Sequence, residues 1–310
     1  MIDIFESFYL RITNNRFIKG NVLALVWVIV TFCLNLIAPI YFHFTRNHKN
    51  YKLKPCLKEN NRIIISVTSF PLRIKKLWVV IETILRQSQK PDKLILWLSL
   101  EQFSSIDILP KKIVAQVKRG LEIRFVNEDI KSFKKFYYSF QEFPQDYILT
   151  IDDDIFYESH LIENIINLSK TYKNSIIAAY CKKINWNSTN LSSYSSWPLI
   201  KEKTTPNYQC FFGTGGGTLF PPNSLDHDIF KKDLFLNLSP TADDIWINTM
   251  CRLNNTPIAC TGQISCYFPV KIKSNKTLDS LNNGMNQNDI QLGKVINYYI
   301  KNRNINPFKN

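Results

Sequence analysis

The chain has 310 residues, 45% apolar and 21% charged, which suffices for a large α/β core and argues against a disordered chain. Its net charge of +14 suits an anionic partner such as lipid head groups or a phosphate-bearing substrate. Seven cysteines with no CxxC pair argue against a zinc ribbon or a disulfide scaffold, and four histidines are too few for a histidine-rich metal site or a histidine-based triad.

Residues 1–21 form an N-terminal segment. From Val22 to Phe44 the chain runs without Asp, Glu, Lys or Arg. Roughly 20 such residues match the length a helix needs to cross a hydrocarbon core. Tyr41, Phe42 and His43 stand where a cleaved signal peptide would carry small residues, so residues 22–44 read as a membrane anchor despite Asn35 and Pro39. Arg11, Arg16 and Lys19 precede the run, and Arg46, Lys49, Lys52, Lys54 and Lys58 follow it. That excess predicts a single-pass protein with its large domain in the cytoplasm. The sequon Asn187-Ser188-Thr189 would suit a secretory lumen, but an Asn-rich chain produces sequons by chance. Residues 45–60 read as a basic linker lying on anionic lipid.

A β-branched run at Ile63–Val67 predicts a strand that ends in the loop Thr68-Ser69-Phe70-Pro71. Apolar residues at Ile74, Leu77, Trp78, Ile81, Ile84 and Leu85 predict a helix over 73–87. Strands follow at 93–98, 121–126 and 147–151, separated by helices at 111–118 and 131–142. Beyond them come a helix at 161–172, a strand at 176–180, a glycine-rich turn at 213–217, a helix at 242–253 and a strand near Ile258. Residues 271–310 read as a polar C-terminal extension with one periodic stretch at 290–300. The alternation predicts an α/β domain over 61–270, with a mostly parallel sheet flanked by helices and ligands beyond the carboxyl ends of its strands.

Asp152, Asp153 and Asp154 close the fourth of these strands. Three consecutive carboxylates repel one another and have no packing use, so a cation is expected there. A divalent metal held with a phosphorylated ligand is the simplest, and hard oxygen ligands favour Mg²⁺ or Mn²⁺. A solvated acidic turn is the bland alternative. Asp243 and Asp244 open a helix, where the dipole alone accounts for acids in most proteins. They gain weight from Gly213-Thr214-Gly215-Gly216-Gly217, whose glycines permit close backbone approach. Thr68 and Ser69, with Arg73 one turn later, end the first strand where a nucleotide would lie. Lys134 and Lys135 precede the acidic strand and could neutralise phosphates. His160 and His227 read as surface or capping residues.

The segments VTSFPLRI, TILRQSQKPDKLILWLS, LEIRFVNED, ILTIDDDIFY, GTGGGTLFPP and PTADDIWI, in that order, resemble GT-A-fold glycosyltransferases. The likeness is to family 2-type enzymes of bacterial surface-polysaccharide (capsule, O-antigen, lipooligosaccharide) synthesis, and it covers roughly residues 60–270. It implies a GT-A, Rossmann-like α/β fold and transfer of a sugar from a nucleotide-sugar donor to a glycan or lipid-linked acceptor, with inversion. Asp152–Asp154 match the DxD motif, which makes Asp154 the first metal ligand, with Asp152 also ligating or nearer the ribose. Thr68, Ser69, Arg73, Lys134, Asp152 and Asp153 are then donor-binding, while Gly215, Gly216, Gly217 and Trp246 belong to the acceptor and sugar pocket. The Asp243-Asp244 pair matches the acidic pair of the acceptor-side helix, with Asp244 the favoured general base. The motif here is Ala-Asp-Asp where Glu-Asp is commoner, which leaves the base between the two aspartates. No histidine is evident to complete the metal shell. Localisation at a bacterial inner membrane follows from the same likeness.

Two other readings are open. A haloacid-dehalogenase-like phosphatase also uses aspartates after a strand, but Ile155 and Phe156 replace its usual continuation, and several strands precede Asp152. A catalytically inactive, membrane-anchored glycan-binding protein would keep the fold without turnover. Nucleic-acid binding has only the charge in its favour, because no recognised nucleic-acid-binding motif is present. Donor and acceptor identity depend on the loops at 184–210 and 271–290.

Overall fold

The computed structural model describes residues 1–13, 21–54, 60–187, 190–262, 267–271 and 286–309. Arg16, Lys19, Lys58, Ser188, Thr189 and most of the 271–290 loop lie outside the described residues.

Thirteen strands are described: β1 (Ile63–Thr68), β2 (Lys93–Ser99), β3 (Leu121–Val126), β4 (Tyr147–Ile151), β5 (Ile155–Phe156), β6 (Ile176–Ala178), β7 (Cys181–Lys183), β8 (Trp186–Asn187), β9 (Asn190–Leu191), β10 (Cys210–Phe212), β11 (Gly216–Phe220), β12 (Ile258–Cys260) and β13 (Phe268–Pro269). Seven of them form the central sheet in the order β12-β6-β11-β4-β1-β2-β3. Within it β4, β1, β2 and β3 run parallel, as do β12 and β6, and β11 runs antiparallel between β6 and β4. This is the mostly parallel α/β sheet that the strand–helix alternation requires. Strands β1, β2 and β4 are near-continuous apolar runs because helices cover both of their faces.

The helices are α1 (Ile2–Thr13), α2 (Asn21–Thr45), α3 (Ile74–Leu85), α4 (Lys111–Val117), α5 (Lys134–Glu142), α6 (Leu161–Thr171), α7 (Lys232–Leu238), α8 (Asp243–Leu253) and α9 (Gln287–Arg303). One core cluster packs α3 and α6 with β1, β2 and β4, and takes in Val30, Leu34, Ala38 and Phe42 of α2. A second joins α7, α8 and α9 through Phe235, Trp246, Val295 and Tyr299.

Two expectations change. The glycine segment read as a turn continues directly into β11, a buried strand at the centre of the sheet. Gly217 has φ +94° and sits at the register shift between Gly216 and Thr218, a conformation that L side chains rarely adopt. The C-terminal extension is part of the core rather than an appendage, since α9 buries Leu292, Val295 and Tyr299 against α8. The N-terminal segment contains α1, which packs against α2.

Carboxylates tie α1 down. Asp3 Oδ1 accepts from Ser159 N at 2.8 Å and Ser159 Oγ at 2.9 Å. Burial, then Glu158 and Asp3, push Glu6 up to about 8, and Glu6 shares a hydrogen bond with Glu158. A folded-state value above the unfolded one favours the protonated native state, so the docking of α1 weakens as pH rises toward 8. Amide exchange over Ile2–Thr13 should accelerate between about pH 5 and 8 after correction for intrinsic rates. Glu6→Gln should abolish that acceleration, whereas equal pH dependence in both proteins would contradict the shared proton.

Candidate active site

A cavity of about 490 Å³ lies where β1 and β4 end and α5 and α8 begin. Thr68 and Ser69 arrive from β1, Asp152–Asp154 from β4, Lys134 and Lys135 from the start of α5, and Asp243 and Asp244 from the first turn of α8. The carboxyl edge of a parallel sheet leaves strand ends uncovered by the next helix, so sites collect there.

The two acidic clusters are joined by a buried cation. Lys135 Nζ lies 2.7 Å from Asp152 Oδ1 and 3.2 Å from Asp243 Oδ2. Burial opposes its charge, yet Asp152, Asp243 and Asp244 together hold the ammonium above its ordinary range. Arg73 does the equivalent on the other side, with Nη1 at 2.7 Å from Asp153 Oδ1 and 2.9 Å from Asp154 Oδ2. Ser69 Oγ donates to Asp153 Oδ2 at 2.5 Å, so the buried Asp153 works as an anchor for Arg73 and Ser69. Lys134 pairs with Asp129 at the cavity wall, and burial lowers its basicity.

Thr214 organises the second cluster. Its N and Oγ1 both donate to Asp244 Oδ1 at 2.7 Å, and Oγ1 also lies 2.9 Å from Asp243 Oδ2. Burial, then Asp243, push Asp244 up to about 7 against the pull of Lys135 and Thr214. A carboxylate near neutrality is matched to proton abstraction at physiological pH.

Ten residues singled out from the sequence line the cavity: Thr68, Ser69, Arg73, Lys134, Lys135, Asp152, Asp153, Asp154, Asp243 and Asp244. Gly215, Gly216, Gly217 and Trp246 are not among the described lining residues. Gly215 stands behind the triplet, where an added Cβ would fall 1.7 Å from Asp152 Oδ2. It therefore sets the position of Asp152 by close approach. Trp246 points the other way, fully buried beside Phe235 and Tyr299, because its place on α8 faces the second core cluster. It is a core residue. Sequence reasoning missed Tyr157, whose hydroxyl donates to Gly215 O at 2.5 Å and accepts from Asp152 N at 2.8 Å. It also gave no role to Tyr180, Lys182 and Tyr194 of the far wall, whose segments carry no motif.

The donor set can be tested against a divalent cation. Asp152 uses Oδ1 on Lys135, and Asp154 uses Oδ2 on Arg73, so each keeps one oxygen with no ion-pair partner named above. Burial, then Asp152, push Asp154 up to about 7, the behaviour of an acid whose charge nearby cations leave partly uncompensated. Hard carboxylate oxygens suit Mg²⁺ or Mn²⁺, and two such groups fit an ion that brings phosphate oxygens and water as further ligands. Among the described residues, the carboxylates close enough for three to share one ion lie elsewhere, at Asp3, Glu6 and Glu158.

No family model and no curated protein matches the chain. Among solved structures it is similar to residues 1–349 of S. aureus TarS, at 10% identity and a TM-score of 0.46, over 65% of this chain and 58% of that one.

Charged Asp244 is costly to the fold. Its native value lies above the unfolded one, so the penalty is absent below about pH 4 and complete above about pH 7. Asp244→Asn should therefore raise stability at pH 8 by about 1–3 kcal/mol and have little effect near pH 4. Thermal unfolding at both pH values checks this, and a variant destabilised at pH 8 would contradict it.

Proposed function

We propose that the chain is a GT-A-type glycosyltransferase that moves a sugar from a nucleotide-sugar donor to a hydroxyl of a glycan or lipid-linked acceptor, with inversion. The observation that carries this reading is the convergence of the Asp152–Asp154 triplet and the Asp243-Asp244 pair on one cavity, bridged by Lys135. A transfer of this kind needs one cluster for the donor diphosphate and another for the acceptor proton, and each is present.

Thr68 and Ser69 line the donor end, Arg73 and Lys134 face the phosphates, and Asp154 with Asp152 would hold Mg²⁺ or Mn²⁺. The ion would neutralise the charge that develops on the departing diphosphate. Asp244 takes the proton of the acceptor hydroxyl as the acceptor oxygen bonds to the anomeric carbon. The bond from that carbon to the diphosphate oxygen breaks, and the nucleoside diphosphate leaves with the electron pair. Thr214 keeps Asp244 Oδ1 occupied by two donors, so the other oxygen is the one aimed at the acceptor. Lys135 pairs with Asp243 beside it at 3.2 Å. The acidic pair thereby divides its labour, with Asp244 as base and Asp243 as positioning residue. Attachment to the cytoplasmic face of a membrane through the apolar N-terminal helix completes the reading, in service of surface-polysaccharide synthesis.

Nucleoside diphosphate release from a panel of nucleotide sugars, with and without candidate acceptors, tests it. Release should require Mn²⁺ or Mg²⁺, fail with chelator and fall about 100-fold or more in Asp154→Ala. Absence of release from every donor, with phosphatase substrates turned over instead, would overturn the reading.

A base near pH 7 must be deprotonated to act, so kcat/KM should rise about tenfold per pH unit below 7 and level off above it. Asp244→Asn should lose about 10²–10⁴-fold in rate. If Asp243→Asn instead loses more and removes the pH dependence, the two roles are exchanged.

A further inference from the structure

The helix α2 has two faces. Val30, Leu34, Ala38 and Phe42, spaced four apart, are buried against the domain core. Leu25, Ile29, Phe32, Leu36, Ile40 and Phe44, on the other side, are 51–80% exposed. With 25 residues the helix is about 37 Å long at 1.5 Å per residue, and its outer face is apolar except for Asn21 and His43 near its ends.

The helix is fastened to the domain at its middle. Asn35 Nδ2 donates to Pro269 O at 2.8 Å, and Lys271 N donates to Asn35 Oδ1 at 2.7 Å. Val270 N, between those two residues, donates to Asp154 O at 2.7 Å. The midpoint of the apolar helix is thus linked through one short segment to the acidic triplet. If α2 crossed a bilayer, its midpoint would lie about 15 Å below the surface, and the triplet with its cations would follow it into hydrocarbon.

We infer that α2 lies in the plane of an anionic bilayer surface, with its outer face in the acyl boundary, and does not span it. The charges around it fit this occupant. The helix carries no acid, and Arg11, Arg46, Lys52 and Lys54 flank its ends. Exposed Lys271 sits 5.9 Å over the Phe32 ring at mid-length, placed to reach the headgroup layer. A small cavity of about 230 Å³ adjoins the C-terminal end, and Tyr41 belongs to both its wall and the exposed face. Arg86 lines this cavity with its side chain only 10% exposed. Glu82 holds its Nε, but buried Nη1 and Nη2 have no hydrogen-bond partner among the described residues. A phosphodiester oxygen of a lipid supplies what those two groups lack. This inference does not rest on the transferase reading.

Side-selective labelling tests the geometry without reference to activity. The full chain is reconstituted into sealed phosphatidylethanolamine–phosphatidylglycerol vesicles as variants Asn21→Cys and Asn47→Cys, with Cys33, Cys56 and Cys266 replaced by serine, which leaves only the buried Cys181, Cys210, Cys251 and Cys260 beside the introduced thiol. Both positions should react with a membrane-impermeant maleimide in the same proportion as Lys170→Cys, an exposed reference on α6. One position protected until detergent is added means that α2 spans, and overturns the inference.

Leu36→Glu with Ile40→Glu changes only exposed positions, so the fold should survive while vesicle flotation is lost. Arg86→Gln should reduce flotation several-fold on phosphatidylglycerol-containing vesicles and leave it unchanged on phosphatidylcholine. Equal flotation on both vesicle types would remove the phosphate from the proposal. A soluble dimer that shields Leu36 and ignores vesicles would assign the face to a second copy instead.

Discussion

A buried ammonium holds the candidate site together. Lys135, at the start of α5, lies between Asp152 at the end of β4 and Asp243 at the start of α8. Without it, acids from two distant stretches of chain would face one another across a partly desolvated cavity. The cost of such proximity is visible in Asp154 and Asp244, both pushed up to about 7, chiefly by burial. Arg73 and Lys135 pair with acids of both clusters, and Asp154 and Asp244 are the two carboxylates with chemistry assigned to them. That division follows from placement, since all five acids have the same side chain.

The same economy runs outward from the site. Gly215 has no side chain because Asp152 occupies the space, and Tyr157 ties the backbone of both together. The segment after β13 connects Asp154 to Asn35 in the middle of α2. An apolar helix and a charged pocket are therefore neighbours in a single packed unit. This explains why α2 carries an asparagine at its centre, a poor choice for a helix surrounded by lipid on every side.

Much of the fold was legible in advance. Strands β1 to β4 were readable because β-branched apolar runs bounded by Pro, Gly and Asp have few alternatives, and α3 because its periodicity is unambiguous. Strand β11 was not, because glycine has low strand propensity and its conformation was imposed by the neighbours β4 and β6. Helix α1 has too little local signal apart from its docking, and α9 reads as a polar tail until its partner α8 is known. Trp246 shows the limit for the site. It adjoins the acidic pair in sequence, yet its direction around α8 sends it into the core.

The sequence by itself determined which residue types are available: an acidic triplet at a strand end, an acidic pair at a helix start, a glycine cluster and a long uncharged run. Those are local facts, fixed by composition and periodicity. Tertiary structure alone decided that the triplet and the pair meet, that Lys135 rather than Lys134 joins them, and that one face of α2 is occupied by the domain. Each of these depends on contacts between residues far apart in the chain. Such contacts are set by sheet order and helix packing, and no spacing along the sequence encodes them.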